Sequence, residues 1–179
     1  IRASSNNPIP FKVLDADDIS RVNLGQDVPV ILSMTPSVNI TSDAGNGIGY
    51  TGMSIRGSDG SRINVTINGV PLNDSESHAT YWVDLPDFAS SISSIQIQRG
   101  VGTSTNGAGA FGGSINVSTK KQSQAPKFKL SNSFGSYGTL KNSISFSTGR
   151  VGKYFELSGN LSKIYSDGYI DRASSNLKG

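Results

Sequence analysis

The chain has 179 residues, a formal net charge of +3 at pH 7, one histidine and no cysteine. The lack of cysteine excludes disulfides and thiolate metal sites, and a single histidine argues against a zinc site. Only 35% of the residues are hydrophobic and 16% charged, while 21 are glycine; this is typical of a β-rich protein with many turns. No apolar run is long enough for a membrane-spanning helix, so a membrane role would need strands or partners.

The charges are unevenly distributed. Residues 1–87 hold five basic and ten acidic residues, whereas residues 88–179 hold eleven basic and three acidic ones. Nucleic-acid binding is one interpretation of such a basic region. The basic residues are scattered, however, and few aromatic residues lie among them at stacking spacing. We therefore interpret them as solvated faces of strands and expect no nucleic-acid partner.

The first elements are short. Residues 10–14 have the pattern of a strand, and Asp15 and Asp17 are candidate caps for a helix that follows, because a carboxylate accepts the free amide hydrogens of a helix start. Asp27 is predicted to cap a second helix that runs to about Met34. Short strands at 37–41 and 53–57 then flank a glycine-rich loop.

Residues 62–74 predict a hairpin. Ile63, Val65 and Ile67 alternate with polar residues, so that one face of the strand is buried. Asn68 and Gly69 then supply the two positive φ angles of a type I′ turn. A loop, a helical turn at 84–91 and another alternating strand at 94–100 follow, with its isoleucines expected to point inward.

The pattern becomes longer after residue 127. Segments of nine to eleven residues alternate apolar with polar side chains, as in the stretch KFKLSNSF that starts at Lys127. This length and period are those of tilted transmembrane β-strands with lipid on one side and a wet lumen on the other. A soluble two-layer sheet would give the same alternation, but the length of the segments favours the membrane.

The hexapeptide GAGAFG (107–112) matches the dinucleotide-binding pattern G-x-G-x-x-G. That fingerprint must open a helix and be followed about 20 residues later by an acidic residue that holds the ribose. Here the next seven residues have a strand pattern, and the next acidic residue is Glu156. We therefore expect the glycines to permit tight turns and close backbone approach, and we expect no nucleotide cofactor.

Several motifs in order resemble the plug domain of TonB-dependent outer-membrane receptors. They are SIRG (54–57), INGVPLN (67–73), ISSIQIQRGVGTS (92–104) and NGAGAFGGSINVST (106–119). The stretch DVPVILSMTPSVNI (27–40) resembles an earlier helix of that family, and FGSYGT followed by SGNLSKIYSDGYID resembles its first barrel strands. The chain departs from the family pattern at Gln96 (usually Glu), Val101 (usually Pro) and Ser37 (usually Gly).

The resemblance implies an α+β architecture. A small mixed-sheet plug domain with short helices would occupy residues 1–122, and residues 123–126 would be a linker. Residues 127–179 would supply the first three antiparallel strands of an incomplete transmembrane β-barrel.

The implied function is that of a gate in the bacterial cell outer membrane. The family's receptors bind a scarce nutrient, such as an iron chelate, haem, cobalamin or an oligomeric nutrient, and admit it to the periplasm with TonB-delivered energy. The implied partners are TonB, through a segment upstream of this chain, the rest of the barrel, the small-molecule or oligomeric nutrient, and the outer membrane.

Two other function classes remain in view. A non-transporting β-rich binding or adhesion domain of the cell surface would fold as a stable monomer, whereas a few open barrel strands would pair between chains. Size-exclusion chromatography of residues 1–122 and 1–179 would separate these cases. An enzyme lacks support, because no nucleophile–base pair or carboxylate pair stands in a recognisable setting, and no catalytic residue or metal ligand is predicted.

Two loops, 43–52 and 73–82, are candidates for contact with the ligand. Their candidate ligand contacts are Asn46, Tyr50, Asn73, Glu76, His78, Tyr81 and Trp82. For Tyr81 and Trp82 the alternative is packing against the barrel wall or the plug core, and His78 is interpreted as a polar loop residue. By resemblance, Arg56 and Arg99 would pair with acidic residues of the barrel wall and lock the plug; the alternative is that they are solvated.

Overall fold

The structure, a computed structural model, describes residues 10–101, 110–121, 123, 125–152 and 155–179. Within these residues the strands form one five-stranded, one four-stranded and one two-stranded sheet. The strands are β1 (Phe11–Asp15), β2 (Val38–Ser42), β3 (Thr51–Ile55), β4 (Ile63–Ile67), β5 (Val70–Pro71), β6 (Ile92–Arg99), β7 (Gly113–Thr119), β8 (Lys127–Phe134), β9 (Leu140–Ser147), β10 (Ser158–Ser166) and β11 (Ser175–Lys178). The α-helices are α1 (Ala16–Val22) and α2 (Val28–Leu32), and 3-10 turns lie at Gly60–Arg62, Trp82–Asp84 and Phe88–Ser91.

The five-stranded sheet has the order β1-β6-β7-β4-β5. It is mixed: β4 and β7 are parallel, and the other neighbours are antiparallel. The side chains of Ile95, Ile97 and Ile115 are fully buried on one face and belong to a single apolar core. This confirms the predicted mixed sheet and the inward isoleucines of β6.

The two central strands are buried on both faces. Gln96 and Gln98 of β6 and Asn116 of β7 alternate with the core isoleucines and are also buried. The alternation predicted a half-exposed strand, but it cannot report whether something covers the polar face.

The start of α1 agrees with its sequence signal. The Asp15 carboxylate accepts hydrogen bonds from the backbone N–H groups of Asp17 and Asp18, and the Asp18 carboxylate accepts one from the Asp15 N–H. This reciprocal arrangement is a capping box. Asp15 is therefore the cap, while Asp17 lies in the first turn.

The prediction for Asp27 was only half right. Asp27 does occupy the N-cap position of α2, but its side chain makes no capping hydrogen bond, and the helix ends at Leu32 rather than near Met34. The Asp27 carboxylate instead accepts a hydrogen bond from the Thr51 hydroxyl at 2.8 Å. The carboxylate is thus bonded to Thr51, a residue distant in sequence, and not to the amide groups of its own helix.

The hairpin β4–β5 has the predicted turn. Asn68 and Gly69 have φ angles of 52° and 87°, as a type I′ turn requires. The Asn68 side chain also donates to the Thr119 hydroxyl and accepts from the Thr119 N–H. The turn residue therefore ties the hairpin to the end of β7.

The residues after GAGAFG form strand β7 and not a helix. A helix N-terminus is what would hold a pyrophosphate in a dinucleotide site, so this region lacks the required element. Residues 107–109 of the hexapeptide lie outside the described residues.

The four-stranded sheet has the order β11-β10-β9-β8 and is antiparallel throughout. The sequence predicted three strands here, and the structure has a fourth, β11. That strand has four residues, too few for its alternation to stand out from a turn.

This sheet is apolar on its exposed face and polar on its buried face. Exposed apolar side chains on the first face include Phe128, Leu130, Phe134 and Leu161. Buried polar side chains on the second face are Lys141, Ser143, Ser162 and Ser166. A water-soluble sheet would bury its apolar face, so the pattern is that of a strand set with lipid outside. No helix of the described residues has the length and apolar character needed to cross a membrane.

Candidate functional site

The glycine-rich loop at 43–50 is fastened to the four-stranded sheet. The Asn46 side-chain amide donates to the Ser166 hydroxyl of β10 at 2.6 Å, and its carbonyl oxygen accepts from the Ile48 N–H. Both polar ends of the predicted ligand contact Asn46 are thus used within the protein. Tyr50, the other predicted contact, has 66% of its surface exposed.

Two tyrosines that the sequence analysis missed lie beside this loop. Tyr137 and Tyr169, from the turns after β8 and β10, meet edge to face with ring centroids 5.3 Å apart. The Tyr169 N–H donates to the Ala44 carbonyl at 2.8 Å, and a Cβ on Gly45 would come 3.0 Å from the Tyr169 ring. The sequence analysis singled out neither tyrosine, because nothing local shows which loop they meet.

A buried carboxylate supports the base of the same loop. The Asp27 N–H donates to the Gly47 carbonyl at 2.9 Å, and the Asp27 side chain accepts from Thr51. Burial raises the pKa of Asp27 to about 6, although hydrogen bonds from the Thr51 hydroxyl and the Gly49 backbone oppose that rise. Desolvation therefore outweighs hydrogen bonding at this carboxyl group.

We expect the stability of the chain to depend on pH through Asp27. Its pKa in the folded state, about 6, lies above the ordinary value of 3.8, so the folded state binds the proton more tightly. The resulting stabilisation is complete below pH 4 and is lost as the pH rises through 6, and it amounts to about 3 kcal/mol. Asp27→Asn should remove this part of the pH dependence in denaturant unfolding of the detergent-solubilised chain between pH 4 and 8.

Asp43→Asn is the matched control, because Asp43 is an exposed acid of the same loop. The pH profile of this control should follow that of the wild type. If Asp27→Asn also kept the wild-type profile, the assignment to Asp27 would be wrong.

The side chain of Asn73 fixes the base of the second loop, 73–82, by hydrogen bonds. Its side-chain oxygen accepts from the Val65 N–H at 2.7 Å, and its amide group donates to the carbonyls of Ile63 and His78 at 2.8 Å each. The predicted ligand contact Asn73 therefore connects the loop to β4.

The tip of this loop is organised by Asp74, which sequence reasoning did not single out. One Asp74 oxygen accepts from the N–H groups of Glu76 and Ser77 and from the Ser77 hydroxyl. These hydrogen bonds, above all the one from the Ser77 backbone, lower the pKa of Asp74. An Asp followed by Ser-Glu-Ser is the local signal of such a turn.

Of the five predicted contacts on this loop, three are exposed, Asn73 is half-buried and Trp82 is buried. Glu76 and His78 are exposed, and Tyr81 exposes 51% of its surface while its hydroxyl donates to the Ser77 hydroxyl at 3.2 Å. Trp82 exposes only 3% and belongs to the apolar core. The prediction that Trp82 faces a ligand is therefore corrected in favour of core packing.

Arg56, after β3 of the two-stranded sheet, and Arg99, at the end of β6 of the five-stranded sheet, lie close together. Arg56 follows β3 with a φ of 51°, and its guanidinium lies over Gly100, where a Cβ would come 2.8 Å from Nη1. Arg99 ends β6, and its Nε is buried with no hydrogen-bond partner among the described residues. Neither arginine forms an ion pair with another described residue, and no group of described residues could hold a metal ion.

The comparisons with known proteins agree on one family. The family model described as "TonB-dependent Receptor Plug Domain" matches residues 3–114. The probable TonB-dependent siderophore receptor PirA of Acinetobacter baumannii is 27% identical over 119 residues, which are 61% of this chain and 16% of that protein.

Solved structures show the same fold. The ferric yersiniabactin uptake receptor FyuA of Yersinia pestis is 19% identical with a TM-score of 0.66, and the match covers 92% of this chain and 25% of FyuA. The copper transporter OprC is 19% identical with a TM-score of 0.71, and the match covers 98% of this chain and 27% of OprC. The chain thus spans about a quarter of the length of these two receptors.

The family match covers more than half of the chain, and it includes both arginines and both exposed loops. The remaining four-stranded sheet corresponds to the initial barrel strands of such receptors. Receptors of this kind are not enzymes, which agrees with the expectation from the sequence. The chain belongs to the TonB-dependent receptors and carries their plug domain, followed by the first strands of the barrel.

Proposed function

We propose that this chain forms the gate of an active transporter in the bacterial outer membrane. The observation that carries the proposal is the four-stranded sheet with its apolar face exposed and its polar face against the plug. Such a sheet suits a pore wall that has lipid outside and a hydrated plug inside. In this proposal residues 1–122 are the plug and residues 127–179 begin the wall of the pore. The wall segment has four strands, where the sequence predicted three.

The plug blocks passive flow and is moved by force from TonB applied upstream of this chain. Strand β1 is suited to receive that force, because it lies at the edge of the sheet and pairs, among the described strands, only with β6. Its hydrogen bonds can therefore break without loss of the central β6–β7 pairing.

The cargo that we propose is a ferric chelate. Two of the named relatives are a probable siderophore receptor and a ferric yersiniabactin receptor. Exposed Tyr50 and Tyr81 offer ring surfaces, and Glu76 and His78 offer polar groups beside them. This combination fits a ligand with both apolar rings and polar edges.

Uptake of labelled ferric chelates by cells with and without the receptor gene tests the function. We expect uptake only when the receptor, TonB and the proton gradient of the inner membrane are all present. Cobalamin and an oligosaccharide serve as comparison cargoes. The proposal would be contradicted if deletion of the receptor changed the uptake of none of these cargoes. It would also be contradicted if uptake persisted without TonB.

We also propose that Arg56 and Arg99 lock the plug to acidic residues on wall strands outside this chain. The buried, unpartnered Arg99 Nε and the convergence at Gly100 support this, because a guanidinium pairs with carboxylates in a fixed orientation. Arg56→Ala together with Arg99→Ala should increase passive entry of a large hydrophilic antibiotic. Arg62→Ala, which changes an exposed arginine in the 3-10 turn before β4, should not. Equal entry in both variants would refute the lock.

A further inference from the structure

A buried ion pair connects the plug to the four-stranded sheet. The Lys141 ammonium of β9 contacts the Asp87 carboxylate, which precedes β6 by five residues. The two side chains are 4% and 0% exposed. Exposed ion pairs are weak because water screens them, but this pair is withdrawn from water on both sides.

The surrounding residues form what we call the lysine socket, which consists of Asn23, Gly25, Asp87 and Ser90. The Lys141 ammonium lies 3.3 Å from the Asn23 side-chain oxygen and 3.3 Å from the Ser90 hydroxyl oxygen. The Ser90 hydroxyl donates to the same Asp87 oxygen at 2.5 Å. The ammonium therefore has polar partners on several sides.

Gly25 gives the lysine stem its space. A Cβ at this position would lie 3.1 Å from Cδ of Lys141, and the φ of Gly25 is +108°, which side chains rarely adopt. Asp87 also has a positive φ of 54° although it is not glycine, an uncommon conformation that places its carboxylate in the socket. The backbone on both sides of the lysine is thus shaped around it.

The socket lies at the opposite end of β6 from the two arginines. Asp87 and Ser90 come just before Ile92, where β6 begins, whereas Arg99 is its last residue. The arginines have no acidic partner among the described residues, but Lys141 has one. The central strand of the plug is therefore held to this part of the wall at its first end.

We propose that the lysine socket is a latch that holds the plug segment 84–91, and with it the start of β6, on the first strands of the barrel. The proposal rests on the proposed function only in taking the four-stranded sheet as the wall of the pore. The latch is separate from the arginine lock, because it uses wall residues of this chain.

Hydrogen exchange of the purified receptor in detergent tests the latch. Lys141→Met keeps most of the stem and removes the charge, which leaves Asp87 buried without its cation. We expect amides of segment 84–91, such as those of Leu85, Phe88 and Ser90, to exchange at least tenfold faster than in the wild type. Asp87→Asn, which keeps the shape of the carboxylate, should have the same effect and serves if Lys141→Met does not fold.

Lys129→Met is the matched control. Lys129 lies on β8 opposite Ser145, on the same polar face, but it is exposed and forms no ion pair with a described residue. Its removal should leave exchange in segment 84–91 unchanged. The double variant Lys141→Met with Asp87→Asn should exchange no faster than either single variant, because the second change finds no pair left to break.

Equal exchange in Lys141→Met and Lys129→Met would overturn the latch. So would a double variant in which the separate effects of Lys141→Met and Asp87→Asn on exchange add up. These measurements need no transport, so they also separate the two proposals. A receptor that takes up cargo without TonB contradicts the proposed function, whereas unchanged exchange contradicts the latch alone.

Discussion

Replacing Gly113 with valine should prevent the plug sheet from forming. Gly113 is the first residue of β7 and pairs with Arg99 of β6 on one side and Ile63 of β4 on the other. A Cβ at this position would lie 2.6 Å from the Gln98 carbonyl oxygen and 3.1 Å from Cδ1 of Ile55. The first atom belongs to the backbone of the neighbouring strand, so relief of the clash requires β6 and β7 to separate.

We expect Gly113→Ala to lower the free energy of unfolding by about 3 kcal/mol and Gly113→Val to lower it further, as overpacking in a well-filled site does. Gly60→Ala is the control, since its nearest atom outside the chain neighbours is 3.7 Å away. Denaturant unfolding of the chain in detergent measures both. Equal stability of Gly113→Ala and Gly60→Ala would show that the strands can adjust.

The residue before Gly113 is under the same constraint. A Cβ on Gly112 would lie 2.4 Å from the Ser58 Cβ and 3.3 Å from the Arg62 carbonyl oxygen. The close approach expected of the hexapeptide's glycines is thus confirmed for Gly112, while Gly107 and Gly109 lie outside the described residues. A phosphate loop uses glycine so that its backbone can come close to the phosphates. At Gly112 the glycine instead lets the backbone come close to Ser58 and Arg62 of the same chain.

Local signals predicted local structure well. The alternation of Ile95 and Ile97, the turn at Asn68 and Gly69 and the cap at Asp15 all depend on residues within a few positions of one another. The mixed sheet and the polar inner face of the four-stranded sheet followed from the same patterns and from the family resemblance.

The errors have a common physical cause, which is a partner distant in sequence. Asp27 was assigned to its own helix, but Thr51 holds it. The alternation after residue 127 puts Lys141 on the polar face of its strand, as the structure does, yet that pattern could not name Asp87 as its buried partner. A single sequence reports which face a side chain occupies more readily than what that face meets.

The two neighbours Tyr81 and Trp82 show the same limit and provide the second large effect. Both are aromatic residues of a predicted ligand loop, and packing against the core or the wall was the alternative for each, so the local sequence does not separate them. Trp82 is 3% exposed and Tyr81 is 51% exposed. Trp82→Ala should therefore lower the free energy of unfolding by about 4 kcal/mol, because it removes a large buried side chain and leaves a cavity in the core.

Tyr81→Ala is the matched comparison, and we expect it to change stability by less than about 0.5 kcal/mol because its ring is largely in solvent. If loop 73–82 contacts the cargo, this variant should weaken binding of the ferric chelate to the receptor roughly tenfold, which corresponds to about 1.4 kcal/mol. Unfolding and chelate binding of both variants in detergent separate the two roles. A stable Trp82→Ala protein with weakened binding would return Trp82 to the ligand site and would mean that the loop opens away from the core.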